Sequence, residues 1–140
     1  MITTCNHNSN QSIVSVSENR KTFKIKNNSL VVINKVEVDG CYITSGSRCD
    51  YLFEIIDDNR IEKVFYVELK GSDIAHAIEQ LKSTIAYCKN IHREILSKEC
   101  HIISSKFPSS GPSSQILKKK FKKENNIQLF IKTRIGEVIV

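Results

Sequence analysis

Cys49-Asp-Tyr-Leu-Phe-Glu-Ile-Ile56 and Lys63-Val-Phe-Tyr-Val-Glu-Leu-Lys-Gly71, separated by Asp57-Asp58-Asn59-Arg60, decide the fold of this chain. Both runs are rich in β-branched and aromatic residues, and the Asp/Asn cluster between them has turn chemistry, so an antiparallel hairpin is expected. A turn centred near Asn59 sets position 50 opposite position 68. Side chains two apart share a face, so Asp50, Glu68 and Lys70 project together. A slip of one residue would separate them. The other face collects Tyr51, Phe53, Ile55, Phe65, Val67 and Leu69, an apolar set for the core, and leaves the charged face as a coherent surface.

Each of these residue types has a physical task around a scissile phosphate. Two carboxylates supply hard oxygen ligands for Mg²⁺, and the carbonyl of Leu69 lies between Glu68 and Lys70 as a further donor. A metal so held polarises the phosphate and acidifies a bound water. Lys70, a compact ammonium with several donors, suits holding that water or neutralising transition-state charge. Glu-x-Lys on a strand is common in itself, and alternating charges usually mark a solvated face. The Asp in register upstream lifts the set above that background.

The residues Gly46-Ser-Arg-Cys-Asp50-Tyr-Leu-Phe, then Val67-Glu68-Leu-Lys70-Gly71, then a helix bearing Gln80, resemble the PD-(D/E)XK superfamily of restriction-endonuclease-like nucleases. The match covers roughly residues 36–106. The resemblance implies an α/β fold with a mixed sheet flanked by helices, Mg²⁺ bound by Asp50 and Glu68 with Mn²⁺ able to substitute, and Lys70 as base or stabiliser. It favours Gln80 as a further site residue. Cys49 stands where the family name has Pro, and Thr84 stands four residues after Gln80 where one branch of the family has Tyr. No long helix precedes the sheet; an N-terminal β extension takes its place, and Glu37 or Asp39 is the candidate for the acidic ligand that helix often carries.

Residues 73–92 form the clearest helix: Ile74, Ile78, Leu81, Ile85 and Cys88 recur at helical spacing, with Ser72 or Asp73 as cap. His76 and Gln80 lie on an adjacent polar stripe whose first turns follow Lys70. Residues 99–105 read as a strand reached through this crossover helix, parallel to 63–71. Strands are expected at 12–17, 22–27 and 31–44, the last broken at Asp39-Gly40, and a final strand at 127–135 with 137–140 as its extension. Phe107–Ser113 reads as a loop.

The chain has 140 residues, 40% of them hydrophobic, which is one small domain able to bury a core. Met1-Ile-Thr-Thr-Cys-Asn-His lacks a basic and apolar leader, no apolar run suits a membrane span, and a cytoplasmic location is expected. Five cysteines without a Cys-x-x-Cys pair read as buried or free thiols. Cys88 and His92 are one helical turn apart, a spacing compatible with zinc but more ordinary in a core.

Residues 98–140 hold nine Lys/Arg and three Asp/Glu, the whole net charge of +6, so the partner-facing side is C-terminal. There Lys118, Lys119, Lys122 and Lys123 lie outward on a short helix anchored by Ile116, Leu117 and Phe121 and capped by Ser113 or Ser114, and are the candidate nucleic-acid contacts. The reading is a Mg²⁺-dependent endonuclease, acting on DNA rather than RNA. The alternatives are a catalytically inactive nucleic-acid-binding or assembly subunit of the same fold, and a protein-binding module of inhibitor or immunity type. A homodimer is expected through strands 12–17 and 22–27, where Ile13, Val14, Val16, Phe23 and Ile25 offer apolar or edge-strand surface.

Overall fold

The turn at the centre of the hairpin forms at Asp58 and Asn59, which take φ of 51° and 60° in the computed structural model. Two successive positive φ values are those of a type I′ turn, which matches the twist of the strands it joins. It connects β5 (Tyr51–Asp57) to β6 (Arg60–Glu68). Tyr51 pairs with Val67, so position 50 falls opposite 68 as the sequence requires, although a bulge interrupts the ladder at Ile55/Ile56. The structure describes residues 1–69, 73–106 and 112–140, with side chains for all of these except 112 and 113. Lys70, Ser72 and most of the loop expected at 107–113 therefore lie outside the described residues.

The other elements are β1 (Asn6–Ser9), β2 (Ile13–Glu18), β3 (Lys21–Lys26), β4 (Val32–Glu37), α1 (Ile74–Tyr87), β7 (Lys98–Ser104), α2 (Pro112–Asn125), β8 (Gln128–Thr133) and β9 (Ile135–Ile139). The fold is mixed α/β, dominated by strands in two sheets. A six-stranded sheet has the order β1-β4-β5-β6-β7-β8, and a three-stranded one has the order β2-β3-β9. Pairing is antiparallel from β1 to β6 and parallel from β6 to β8, the parallel strands being joined through α1 and α2. Asp73 caps α1 by accepting the His76 N–H.

Both faces of the large sheet are buried. Leu52, Val64 and Tyr66 pack with Ala77, Ile78 and Leu81 of α1 and Phe121 of α2. Phe53, Phe65, Val67 and Leu69 pack on the opposite side with Val14, Val16, Phe23 and Ile25 of the small sheet. Phe23 sits 5.5 Å from the Phe53 ring and 5.8 Å from that of Phe65. Gly136 permits this layer to close, since a Cβ there would overlap the Ile103 side chain.

Four expectations change. The face carrying Asp50 and Glu68 is not an open charged surface: the crossover helix needed to make β7 parallel to β6 lies over that face. Val14, Val16, Phe23 and Ile25 are buried against the large sheet, so they are not the apolar dimer surface expected of them, and of that set only Ile13 remains exposed. Residues 128–139 are two strands in different sheets, redirected at Arg134 with φ 65°, where one continuous strand was expected. Ile116 is exposed rather than an anchor of α2, which rests on Phe121 and Leu117.

The polar strand β1 has no apolar alternation to announce it, yet it pairs with β4 and brings Cys5 beside Cys41. These two form a disulfide with Cα atoms 5.9 Å apart, which corrects the reading of all five cysteines as thiols. Cys49, Cys88 and Cys100 are buried free thiols. No helix among the described residues is long and apolar enough to cross a membrane.

Candidate functional site

Asp50 immediately precedes β5 and is held from several directions. Its N–H donates to the Val67 carbonyl at 3.2 Å, and its own carbonyl accepts from Val38 N and Asp39 N at 3.0 and 3.3 Å. Its carboxylate Oδ2 accepts the Leu69 N–H at 2.8 Å. Glu68 ends β6 across the ladder, with 0% exposure against 4% for Asp50. The Leu69 side chain belongs to the core on the small-sheet side.

Asp50 opens on a cavity of about 100 Å³ lined also by Glu18, Glu37, Asp39 and Tyr51. Each acidic residue arrives from the end of an element: Glu18 ends β2, Glu37 ends β4, and Asp39 stands in the turn that follows β4. Four carboxylate residues around so small a space give it an acidic lining. Arg48 answers part of it, its Nε donating to Asp39 Oδ1 at 2.8 Å. Glu37 and Asp39 line the same cavity as Asp50. Glu18 is a cavity residue that sequence reasoning missed, because only the layering of β2-β3-β9 under the large sheet brings it here, and no spacing in the sequence records that.

The helix side of the site is neutral. Gln80 is half-buried, and its Nε2 donates to the Arg48 carbonyl at 3.2 Å. Thr84 is buried, and its Oγ1 accepts the Cys49 N–H at 2.9 Å. His76 is exposed. Burial pushes the Cys49 thiol well above the ordinary range, so it stays protonated beside Asp50 and Glu68.

Lys118, Lys119, Lys122 and Lys123 line an open groove with Gln128 and Leu129 along the β8 edge. Lys120 instead lines a pocket with Ala75, Ile78 and Glu79 of α1, 3.9 Å from Glu124 of its own helix. Glu68 is level with Ile102 and Ile131, whereas Gln128 is level with Glu99 and Phe65. The groove therefore lies two strands across and three residues along from Glu68. At the usual strand spacing and rise this is about 14 Å between Cα positions. Carboxylates and lysines are distinct patches within reach of one extended ligand.

The donor chemistry fits a hard divalent cation. Among the described residues no group of three or more His, Cys, Asp or Glu side chains forms a ready cation cage. Mg²⁺ does not ask for one, since it is commonly held by one or two carboxylates with waters and substrate phosphates in the remaining positions. Zinc at Cys88 and His92 does not fit: His92 Nδ1 is 2.7 Å from the Tyr66 hydroxyl and Nε2 is 2.6 Å from Glu54 Oε2, which occupies both ring nitrogens. Burial pushes the Cys88 thiol up to about 12. Comparisons with protein-family models, with curated proteins and with solved structures give no match.

Proposed function

We propose that the chain is a Mg²⁺-dependent nuclease of PD-(D/E)XK type that hydrolyses phosphodiester bonds, in DNA rather than RNA. The observation that carries this reading is the β5–β6 register, which sets Asp50 opposite Glu68, with Asp50 also lining a cavity beside Glu18, Glu37 and Asp39. Helices on one face of a mixed sheet support it, while the three-stranded sheet on the other face, in place of the superfamily's first helix, departs from that pattern.

When bound, Mg²⁺ supplies Lewis acidity to the phosphate and lowers the pKa of an attacking water. Asp50, Glu68 and the Leu69 carbonyl would hold it. Lys70 holds the water or balances charge on the phosphoryl oxygens. The lysine groove binds backbone phosphates to either side of the cut and carries no sequence information. Cutting both strands in one encounter takes two copies related by a twofold axis.

The complete burial of Glu68 favours one second reading, a subunit of the same fold that binds nucleic acid without cutting it. Incubation of the purified protein with plasmid, linear and single-stranded DNA, and with RNA, in the presence and absence of Mg²⁺ or Mn²⁺, decides between them. Metal-dependent nicking that disappears in E68A is the expected result. Binding without cleavage under every condition establishes the second reading, and undiminished nicking by E68A contradicts the site.

A further inference from the structure

We propose that Thr84 is a positioning residue, the link through which α1 sets the Asp50 carboxylate in its working place. The inference rests on the metal-site reading of Asp50 for its chemistry, but the contacts that motivate it stand apart from that reading.

Propensity alone does not place Thr84 on a buried helix face. A β-branched residue with a hydroxyl costs helix stability, and its polar atom must be satisfied once it is covered. Its exposure is 0%. A threonine hydroxyl has one proton to donate and two lone pairs to accept with, and both capacities are used. Oγ1 donates to the Gln80 carbonyl one turn back at 3.1 Å and accepts the Cys49 N–H at 2.9 Å. Gln80 holds the other end of the same peptide unit, donating from Nε2 to the Arg48 carbonyl at 3.2 Å. One turn of α1 thus grips both polar ends of the Arg48–Cys49 peptide that leads into Asp50.

Beyond this grip Asp50 is hydrogen-bonded into the sheet. Asp50 enters β5 with its N–H on Val67, and its carboxylate receives the Leu69 N–H from the strand opposite. Arg48 extends the link to Asp39, the neighbour of Asp50 across the acidic cavity. Moving the Cys49 peptide by a fraction of an ångström moves the carboxylate, and a displacement of about 1 Å in a catalytic group is enough for a hundredfold loss in rate. Thr84 touches neither metal nor substrate, so its effect is exerted wholly through position.

The test uses T84V, which keeps the branched shape and removes the hydroxyl, and T84S, which keeps the hydroxyl and removes a methyl. Amide hydrogen exchange is read at Cys49 and Leu69, with Mn²⁺ affinity by calorimetry and nuclease kcat and KM beside it. The expected result is exchange at both amides at least tenfold faster in T84V than its change in global stability accounts for. Mn²⁺ affinity falls about tenfold, kcat falls with KM unchanged, and T84S recovers each to within about threefold. Unchanged exchange at Leu69 in T84V overturns the proposal, as does equal loss in T84V and T84S, which marks a purely structural role. If the wild-type protein neither binds Mn²⁺ nor cuts, the nuclease reading falls while the exchange data still decide whether Thr84 positions Asp50. Should T84V fail to fold, Q80L, at a half-buried position, tests the same grip through Arg48, and the same exchange criteria decide it.

Discussion

Asp50 and Glu54 are two buried carboxylates four residues apart along one segment, and their neighbours differ. Glu54 is surrounded by donors. Its Oε2 is 2.6 Å from His92 Nε2, and its Oε1 accepts from Asn34 Nδ2 at 2.7 Å and from Ile2 N at 2.9 Å. Burial alone would raise its pKa, but the hydrogen bonds from His92, Asn34 and Ile2 outweigh burial and hold the carboxyl below its ordinary value. Asp50 shares a cavity with three other carboxylates at the end of the strand. A carboxylate saturated by fixed donors ties the N-terminus, β4 and the segment after α1 into the fold, whereas one set among like charges at a cavity is suited to receive a cation.

The comparison is broken most severely by exchanging the consequences of mutation. D50A and E68A are expected to reduce metal-dependent cleavage to background, with D50A costing about 1–3 kcal/mol of stability because the buried Leu69 N–H loses its acceptor. E54A leaves His92, Asn34 and the Ile2 N–H without their acceptor and is expected to cost about 3–5 kcal/mol of stability, with metal affinity retained in the folded fraction. Paired melting curves and cleavage assays check both. A stability loss in D50A equal to that in E54A would erase the distinction.

Lys70→Ala is expected to keep metal binding and lower turnover by about a hundredfold, the usual effect of removing one transition-state stabiliser. Single-turnover rates at saturating Mg²⁺ measure it. Replacing Lys118, Lys119, Lys122 and Lys123 together by Gln is expected to weaken binding to all duplex sequences alike. The slope of log K against log salt falls by about 0.9 for each phosphate that is no longer neutralised. An unchanged slope assigns the lysines to solubility.

What could be read from the sequence, and what could not, follows the range of the interactions. The hairpin, its register and the α1 stripe are local patterns of period two and 3.6, and Asp58-Asn59 is turn chemistry between them, so the placement of Asp50 opposite Glu68 is legible in the sequence. The role of Glu54 is not, because its partners lie at positions 2, 34 and 92, and nothing in Phe53-Glu54-Ile55 records them. The same reason hides β1, whose Asn-His-Asn-Ser has no strand pattern, and the pairing of Cys5 with Cys41 that follows from it. Glu18 reaches the cavity only through sheet stacking, and the burial of the Asp50 face follows from where the crossover helix comes to rest.

Glu99 offers a smaller contrast to Asp50, as a carboxylate held chiefly by His101 and also by Lys63, which lower its pKa to about 2. His101 Nε2 is 3.0 Å from one oxygen and Lys63 Nζ is 2.7 Å from the other. The folded pKa lies below the unfolded one, so this stabilisation is present above the ordinary carboxylate range and is lost as pH falls from about 4.5 toward 2. E99Q is expected to cost about 1 kcal/mol at neutral pH once solvent screening of a partly exposed group is allowed for. Denaturation at a series of pH values should show the wild-type advantage vanishing across that window.

The most direct test of the central claim is calorimetric titration of Mn²⁺ into the wild-type protein, D50A, E68A and E54Q, each confirmed folded. The account predicts one binding event in the wild type, kept by E54Q and lost in both D50A and E68A. Binding by E68A at wild-type affinity would contradict it.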